Sequence, residues 1–143
     1  MITKWDIRFL ELAKHISTWS KDPSTKVGAV IVRDKKIIGV GYNGFPANIA
    51  DDDRYHDRDK KYGMIIHAEM NAILNSGESV DGCTVYTYPL PPCNDCAKII
   101  IQAGIKKIVT PEIDENHRWC SKWKISEEMF MEAGIDILMV KFE

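Results

Sequence analysis

The sequence predicts an α/β fold: a three-layer α-β-α sandwich around a five-stranded mixed sheet. Three observations predict it. Short β-branched runs at residues 27–32, 37–42, 84–88, 107–110 and 135–140 alternate with helical segments, in the order α-β-β-α-β-α-β-α-β. The first two runs are joined only by Arg33-Asp34-Lys35-Lys36, a hairpin turn that makes the sheet mixed, while the later strands call for right-handed crossovers. The 143 residues, 45% hydrophobic and 28% charged, suit one domain spanning 1–143 with an ordinary core.

The first helix is expected over 3–19. Thr3 and Asp6 form a capping-box start, and Trp5, Phe9, Leu12, Ile16 and Trp19 make one apolar stripe. His15 lies off that stripe. Residues 20–24 turn the chain into the hairpin. Asn43-Gly44-Phe45-Pro46 ends the second strand with turn chemistry. Residues 47–63 show no apolar period and are rich in Asp, Arg and Lys, which reads as a solvated loop, although a loop of that length is often functional.

A helix over 67–76 is closed by Gly77. Pro89-Leu90-Pro91-Pro92 halts the third strand. A helix over 93–103 follows, with Ile99, Ile100 and Ile101 inside and Gly104 at its end. Residues 111–124 read as a polar loop. Ser126 then caps a helix to 133, with Gly134 after it.

Bulk properties exclude several classes. The net charge of −2 shows no basic excess for nucleic acid. No apolar run reaches the roughly 20 residues of a membrane span. The start of the chain lacks the shape of a secretory signal, so a cytoplasmic location is expected. Of the four cysteines, Cys93 and Cys96 are closely spaced and read as metal ligands sooner than as a disulfide. Cys83 and Cys120 stand singly and read as buried free thiols.

The chemistry gathers at two short motifs. His67-Ala68-Glu69 opens one helix, and Pro92-Cys93-Asn94-Asp95-Cys96 opens the next. Thiolate sulfur and imidazole nitrogen suit zinc, and a helix start favours the thiolate. Three protein ligands, His67, Cys93 and Cys96, leave a fourth tetrahedral position for water, as in catalytic zinc sites. Glu69 is not needed as a ligand. In the first turn of a helix it reaches the same pocket as His67 and can move a proton. Either motif alone is weak. Together they are the established zinc-deaminase signature.

The resemblance extends further. Ser20-Lys21-Asp22-Pro23, Val27-Gly28-Ala29, Gly41-Tyr42-Asn43-Gly44-Phe45-Pro46, His67 through Ile73, Pro92 through Lys98, and Gly104-Ile105 resemble the deoxycytidylate (dCMP) deaminase family of the cytidine deaminase-like superfamily. The resemblance runs from about residue 3 to 140. It implies zinc-dependent hydrolysis of dCMP to dUMP and ammonia, supplying dUMP for thymidylate synthesis. It implies His67, Cys93 and Cys96 as zinc ligands and Glu69 as the catalytic proton shuttle to ring N3 and then to the leaving amine. The Ala68 backbone N–H would face the pyrimidine O2, and Asn43 would hydrogen-bond the sugar. The resemblance also implies a homo-oligomer, commonly a hexamer, activated by dCTP and inhibited by dTTP. Tyr42, Asn43, Gly44 and Phe45 would contribute to that regulatory site, with Mg²⁺ accompanying the triphosphate.

Two departures bear on the substrate. Tyr88-Pro89-Leu90-Pro91 is longer and richer in proline than the family pattern. His117, Arg118 and Trp119 match no family pattern; Arg118 and Lys122 are candidates for binding phosphate, and Trp119 for lying on the base. Arg54 and Arg58 are further phosphate candidates. Mono- and triphosphate substrates both stay open. Two rivals remain: a related zinc deaminase acting on another cytosine nucleotide or nucleoside, and a non-catalytic nucleotide-binding regulator. Glu69 argues against the second, because a structural zinc needs no spare carboxylate.

Overall fold

In the computed structural model, residues 1–142 are described. The helices are α1 (Lys4–Ser17), α2 (Arg58–Met64), α3 (Ala68–Leu74), α4 (Asn94–Gln102) and α5 (Cys120–Glu132). The strands are β1 (Gly28–Arg33), β2 (Lys36–Tyr42), β3 (Thr84–Tyr88), β4 (Lys107–Pro111) and β5 (Asp136–Val140). They form a five-stranded sheet in the order β2-β1-β3-β4-β5. β1 runs antiparallel to β2 and β3, and β3-β4-β5 are parallel, so the sheet is mixed. Asp34 and Lys35 both adopt positive φ in the β1–β2 turn, the conformation that matches strand twist in a tight hairpin.

Alternate residues of β1 serve opposite layers. Val30 and Val32 pack with Phe9, Leu10 and Ala13 of α1, whereas Ala29 and Ile31 pack with Ala68, Ala72 and Ile100 of α3 and α4. A strand buried on both faces is apolar throughout, which is how residues 27–32 read. Thr3 caps α1 through Asp6 N (3.2 Å), and Asp6 Oδ2 accepts from Thr3 N (2.9 Å), the expected capping box.

The expectations need four corrections. α1 ends at Ser17, so Trp19 lies beyond the helix and is 53% exposed; Leu10 and Ala13 take core places instead. Residues 47–63 are not simply a loop. A short 3-10 turn (Asp53–His56) leads into α2, whose start is capped by the Asp57 side chain on Lys60 N (3.2 Å). Of the three isoleucines of α4 only Ile100 is fully buried, and Ile99 is exposed. α5 begins at Cys120 and not at Ser126, so the last five residues of the expected loop 111–124 are helical. Among the described residues no helix is long and apolar enough to cross a membrane.

Two glycines set how closely the helices approach the sheet. A Cβ on Gly28 would stand 2.1 Å from the Ala13 carbonyl oxygen of α1. One on Gly41 would stand 2.3 Å from Ala72 N and 2.6 Å from Ala68 O, both backbone atoms of α3. α3 therefore sits on β2 at a distance that only glycine allows. Gly41→Ala is expected to lower stability by about 1–3 kcal/mol, measured by urea unfolding. It should also weaken metal retention, because α3 must shift.

Candidate metal centre and active site

The site lies where β3 runs out and two helices begin. Tyr88 pairs with Gly28, and Gly28 with Tyr42, so the ends of β2 and β3 and the start of β1 share one edge of the sheet. His67 is the residue just before α3, in extended conformation, and its side chain makes no cap hydrogen bond. Cys93 occupies the same place before α4, and its sulfur accepts from Cys96 N at 3.5 Å. The approach to Cys93 is braced by two hydrogen bonds: Trp119 Nε1 donates to Pro91 O (2.8 Å), and Ser126 Oγ donates to Pro92 O (2.8 Å).

His67 Nδ1 lies 3.2 Å from Cys96 Sγ and 3.4 Å from Cys93 Sγ, and the three donor atoms fall within 4.8 Å of one another. Nitrogen and sulfur bound to one tetrahedral zinc at ordinary bond lengths stand about 3.5 Å apart. The donor set therefore fits a zinc ion in kind and in spacing. Its electrostatics agree. The Cys96 thiol beside Cys93, together with His67, pulls the Cys93 thiol down to about 4 against the effect of burial. Cys93 and burial hold the Cys96 thiol up. Two sulfurs this close ionise together only around a cation. The hydrogen bond from Cys93 in turn raises His67.

Glu69 sits in the first turn of α3, 4% exposed. Burial pushes its carboxyl up to about 7, opposed by His67. A carboxyl poised there both takes and gives a proton near neutrality. His67, Ala68 and Glu69 line one cleft of about 670 Å³, counting its open mouth, which suits a nucleotide-sized ligand. Trp119, Arg118, Leu90 and Pro91 close one side. Asp22, Ser24, Thr25, Asn43 and Lys61 close the other.

The remaining candidates divide. Asn43 reaches the cleft, but its amide is engaged within the protein. Nδ2 donates to Thr25 O (2.9 Å) and Asp22 Oδ2 (3.3 Å), and Oδ1 accepts from Val27 N (2.9 Å). A lone pair on Oδ1 is what it retains for a ligand. Tyr42 points away on the edge strand, 40% exposed, its ring edge-on to Trp19. Gly44 bridges to Ile66, and Phe45 stacks on Tyr55 at 3.9 Å. Of Tyr42, Asn43, Gly44 and Phe45, only Asn43 lines the cleft. Arg54 is paired with Asp52 (2.8 Å) outside it, and Lys122 lies over the Trp119 ring.

Lys61 is the residue that sequence reasoning missed. It projects from α2 into the wall of the cleft, 7% exposed, and its Nζ contacts Asp22 Oδ1 at 3.1 Å. The signal was the Asp57 cap before Arg58, which marks a helix inside the charged run.

Residues 3–112 match the family model for the cytidine and deoxycytidylate deaminase zinc-binding region. The chain belongs to the cytidine and deoxycytidylate deaminase family. It is 42% identical over 139 residues to an uncharacterized deaminase in the luxG 3′ region of Aliivibrio fischeri, covering 96% of this chain and 94% of that one. It is 44% identical over 114 residues to human deoxycytidylate deaminase, covering 74% of this chain and 64% of the human protein. The chain thus spans less than two thirds of that human family member. Its fold superposes on the dCMP deaminase of cyanophage S-TIM5, solved in complex with dCMP and dUMP, with a TM-score of 0.79 and 25% identity over 98% of this chain and 99% of that one.

Protein purified without chelator is expected to carry zinc in equimolar amount by elemental analysis, and Cys96→Ser to lose most of it. Stripping zinc should lower Tm by roughly 10 °C, because metal binding is coupled to folding. An unchanged Tm would mean that the three donors are not holding a metal.

Proposed function

We propose that the chain hydrolyses dCMP to dUMP and ammonia. The observation that carries this reading is the placement of a buried carboxyl, Glu69, in one cleft with the His67–Cys93–Cys96 donor set. Family membership and the relatives named deoxycytidylate deaminase support it.

In this reading His67 Nδ1 and the sulfurs of Cys93 and Cys96 hold the zinc. A zinc held there would supply an acidified water as the nucleophile for C4 of the ring. Glu69 takes the proton released from that water and delivers it to ring N3. It then takes the second proton from the new C4 hydroxyl and gives it to the exocyclic amine, so that the C4–N bond breaks, the C4 carbonyl forms and ammonia leaves. Its raised pKa fits both halves of the task. Ala68, buried between the two functional residues, offers its backbone N–H to the pyrimidine O2. Trp119 flanks the base, and Asn43 shapes the sugar side of the cleft. We further propose a homo-oligomer, a hexamer, activated by dCTP and inhibited by dTTP. Those effectors would meet Tyr42, Asn43, Gly44 and Phe45 on the outer side of the same wall, with Mg²⁺ accompanying the triphosphate.

A deamination assay on dCMP, CMP, dCTP and deoxycytidine, each with and without dCTP or dTTP as effector, tests the reading. dCMP should have the highest kcat/KM. Glu69→Gln should keep zinc yet lose roughly 10²–10⁴-fold in kcat. Full activity in Glu69→Gln would overturn the proton-shuttle role. A better rate on deoxycytidine would overturn the substrate.

A further inference from the structure

α3 carries His67 at its head and Glu69 in its first turn, yet little in its own sequence fixes where it lies. It is seven residues long, its start has no side-chain cap, and its fully buried apolar residues are Ala68 and Ala72. It rests on Gly39 and Gly41 of β2, where a Cβ would stand 2.5 Å and 2.3 Å from backbone atoms of Ala72. Two glycines facing two alanines make a close contact without ridges. Such packing sets the distance between helix and strand and does little to stop sliding along the strand.

Two amides supply the missing lock. Asn71 Nδ2 donates to Tyr42 O (2.8 Å), and Asn75 Nδ2 donates to Val40 O (3.0 Å). β2 is an edge strand, and its carbonyls at every second residue point away from the sheet. Asparagine is among the poorer helix formers, so Asn71 weakens α3 locally in exchange for that bond.

Of the two, Asn71 is the one tied to the donor set. Asn71 N donates to His67 O (3.0 Å), the first backbone hydrogen bond of α3. On the other side of His67, Ile66 and Gly44 exchange two backbone bonds (2.8 and 3.1 Å). His67 is thus held between two attachments to the end of β2, at Gly44 and at Tyr42. These flank Asn43, which lines the cleft. The attachment at Gly44 is backbone alone, whereas the one at Tyr42 depends on a side chain. We infer that Asn71 is a positioning residue: its amide on Tyr42 O sets the register of α3, and with it His67 and Glu69, against Cys93, Cys96 and the Asn43 wall.

The kinetic arm of the test rests on the proposed function, and the metal arm does not. Asn71→Asp keeps the shape and removes the donor; Asn71→Ala removes the whole amide. Asn75→Ala removes the second bond, far from His67, and is the control. Zinc-loaded proteins would be compared by Tm, by the rate at which a colorimetric chelator takes the zinc, and by kcat and KM for dCMP. Both Asn71 variants should release zinc about tenfold faster than wild type. They should lose about tenfold in kcat, the effect of a small displacement at a preorganised site, with KM within about twofold. Asn75→Ala should lower Tm as much as Asn71→Ala yet keep wild-type zinc release and kcat. Wild-type zinc release and kcat in Asn71→Asp would overturn the role, as would equal losses in Asn71→Ala and Asn75→Ala. Zinc release that quickens as expected, in a protein that does not deaminate dCMP, would support the role and overturn the activity instead.

Discussion

Everything at the site depends on two helix starts meeting end to end. His67 stands before α3 and Cys93 before α4, and an imidazole nitrogen comes within 3.4 Å of two sulfurs. Helix starts carry free N–H groups and a positive field, so they favour the ionised sulfur that a metal needs. The sheet supplies the rigidity. Gly41 lets α3 rest against β2 by its backbone, and the β3 to Pro92 stretch is pinned by Trp119 and Ser126. The donor atoms are held by packed secondary structure, the support that a preorganised site requires.

The same arrangement explains the state of Glu69. It occupies the first turn of α3, where it is buried yet opens on the cleft. Mid-helix, a residue two positions from His67 would face elsewhere. At the helix start the chain is still turning into register, so both side chains enter one space. Burial then raises the carboxyl towards neutrality. Position in the helix thus decides proximity, and proximity to low-dielectric surroundings decides the proton affinity.

What could be read from the sequence follows the physics of each element. The strands were legible because apolar β-branched runs have one dominant meaning when short and bounded by Gly or Pro. The association of His67 with Cys93 and Cys96 was legible from residue chemistry and spacing. α2 was not, because its buried residue is Lys61, which any hydrophobic pattern assigns to solvent. The start of α5 was hidden because Trp119 precedes it without a side-chain cap. Trp19 was misplaced because the helical period continues in the sequence after the helix has ended at Ser17. The bonds of the Asn43 amide to the backbone at Val27 and Thr25 were not legible, because sequence separation conceals that partnership.

The Lys61–Asp22 contact joins α2 to the 20–26 turn, and Asn43 ties the same turn to the end of β2. Three stretches distant in sequence are therefore tied into one panel beside the cleft. The His67–Cys93–Cys96 donor set and Glu69 sit elsewhere, at the starts of α3 and α4. The donor set and this panel thus occupy separate pieces of the architecture. The panel and the 111–119 segment can be altered without touching the elements that carry the donor set. A protein engineer would find the same division useful: two replaceable walls around a constant floor.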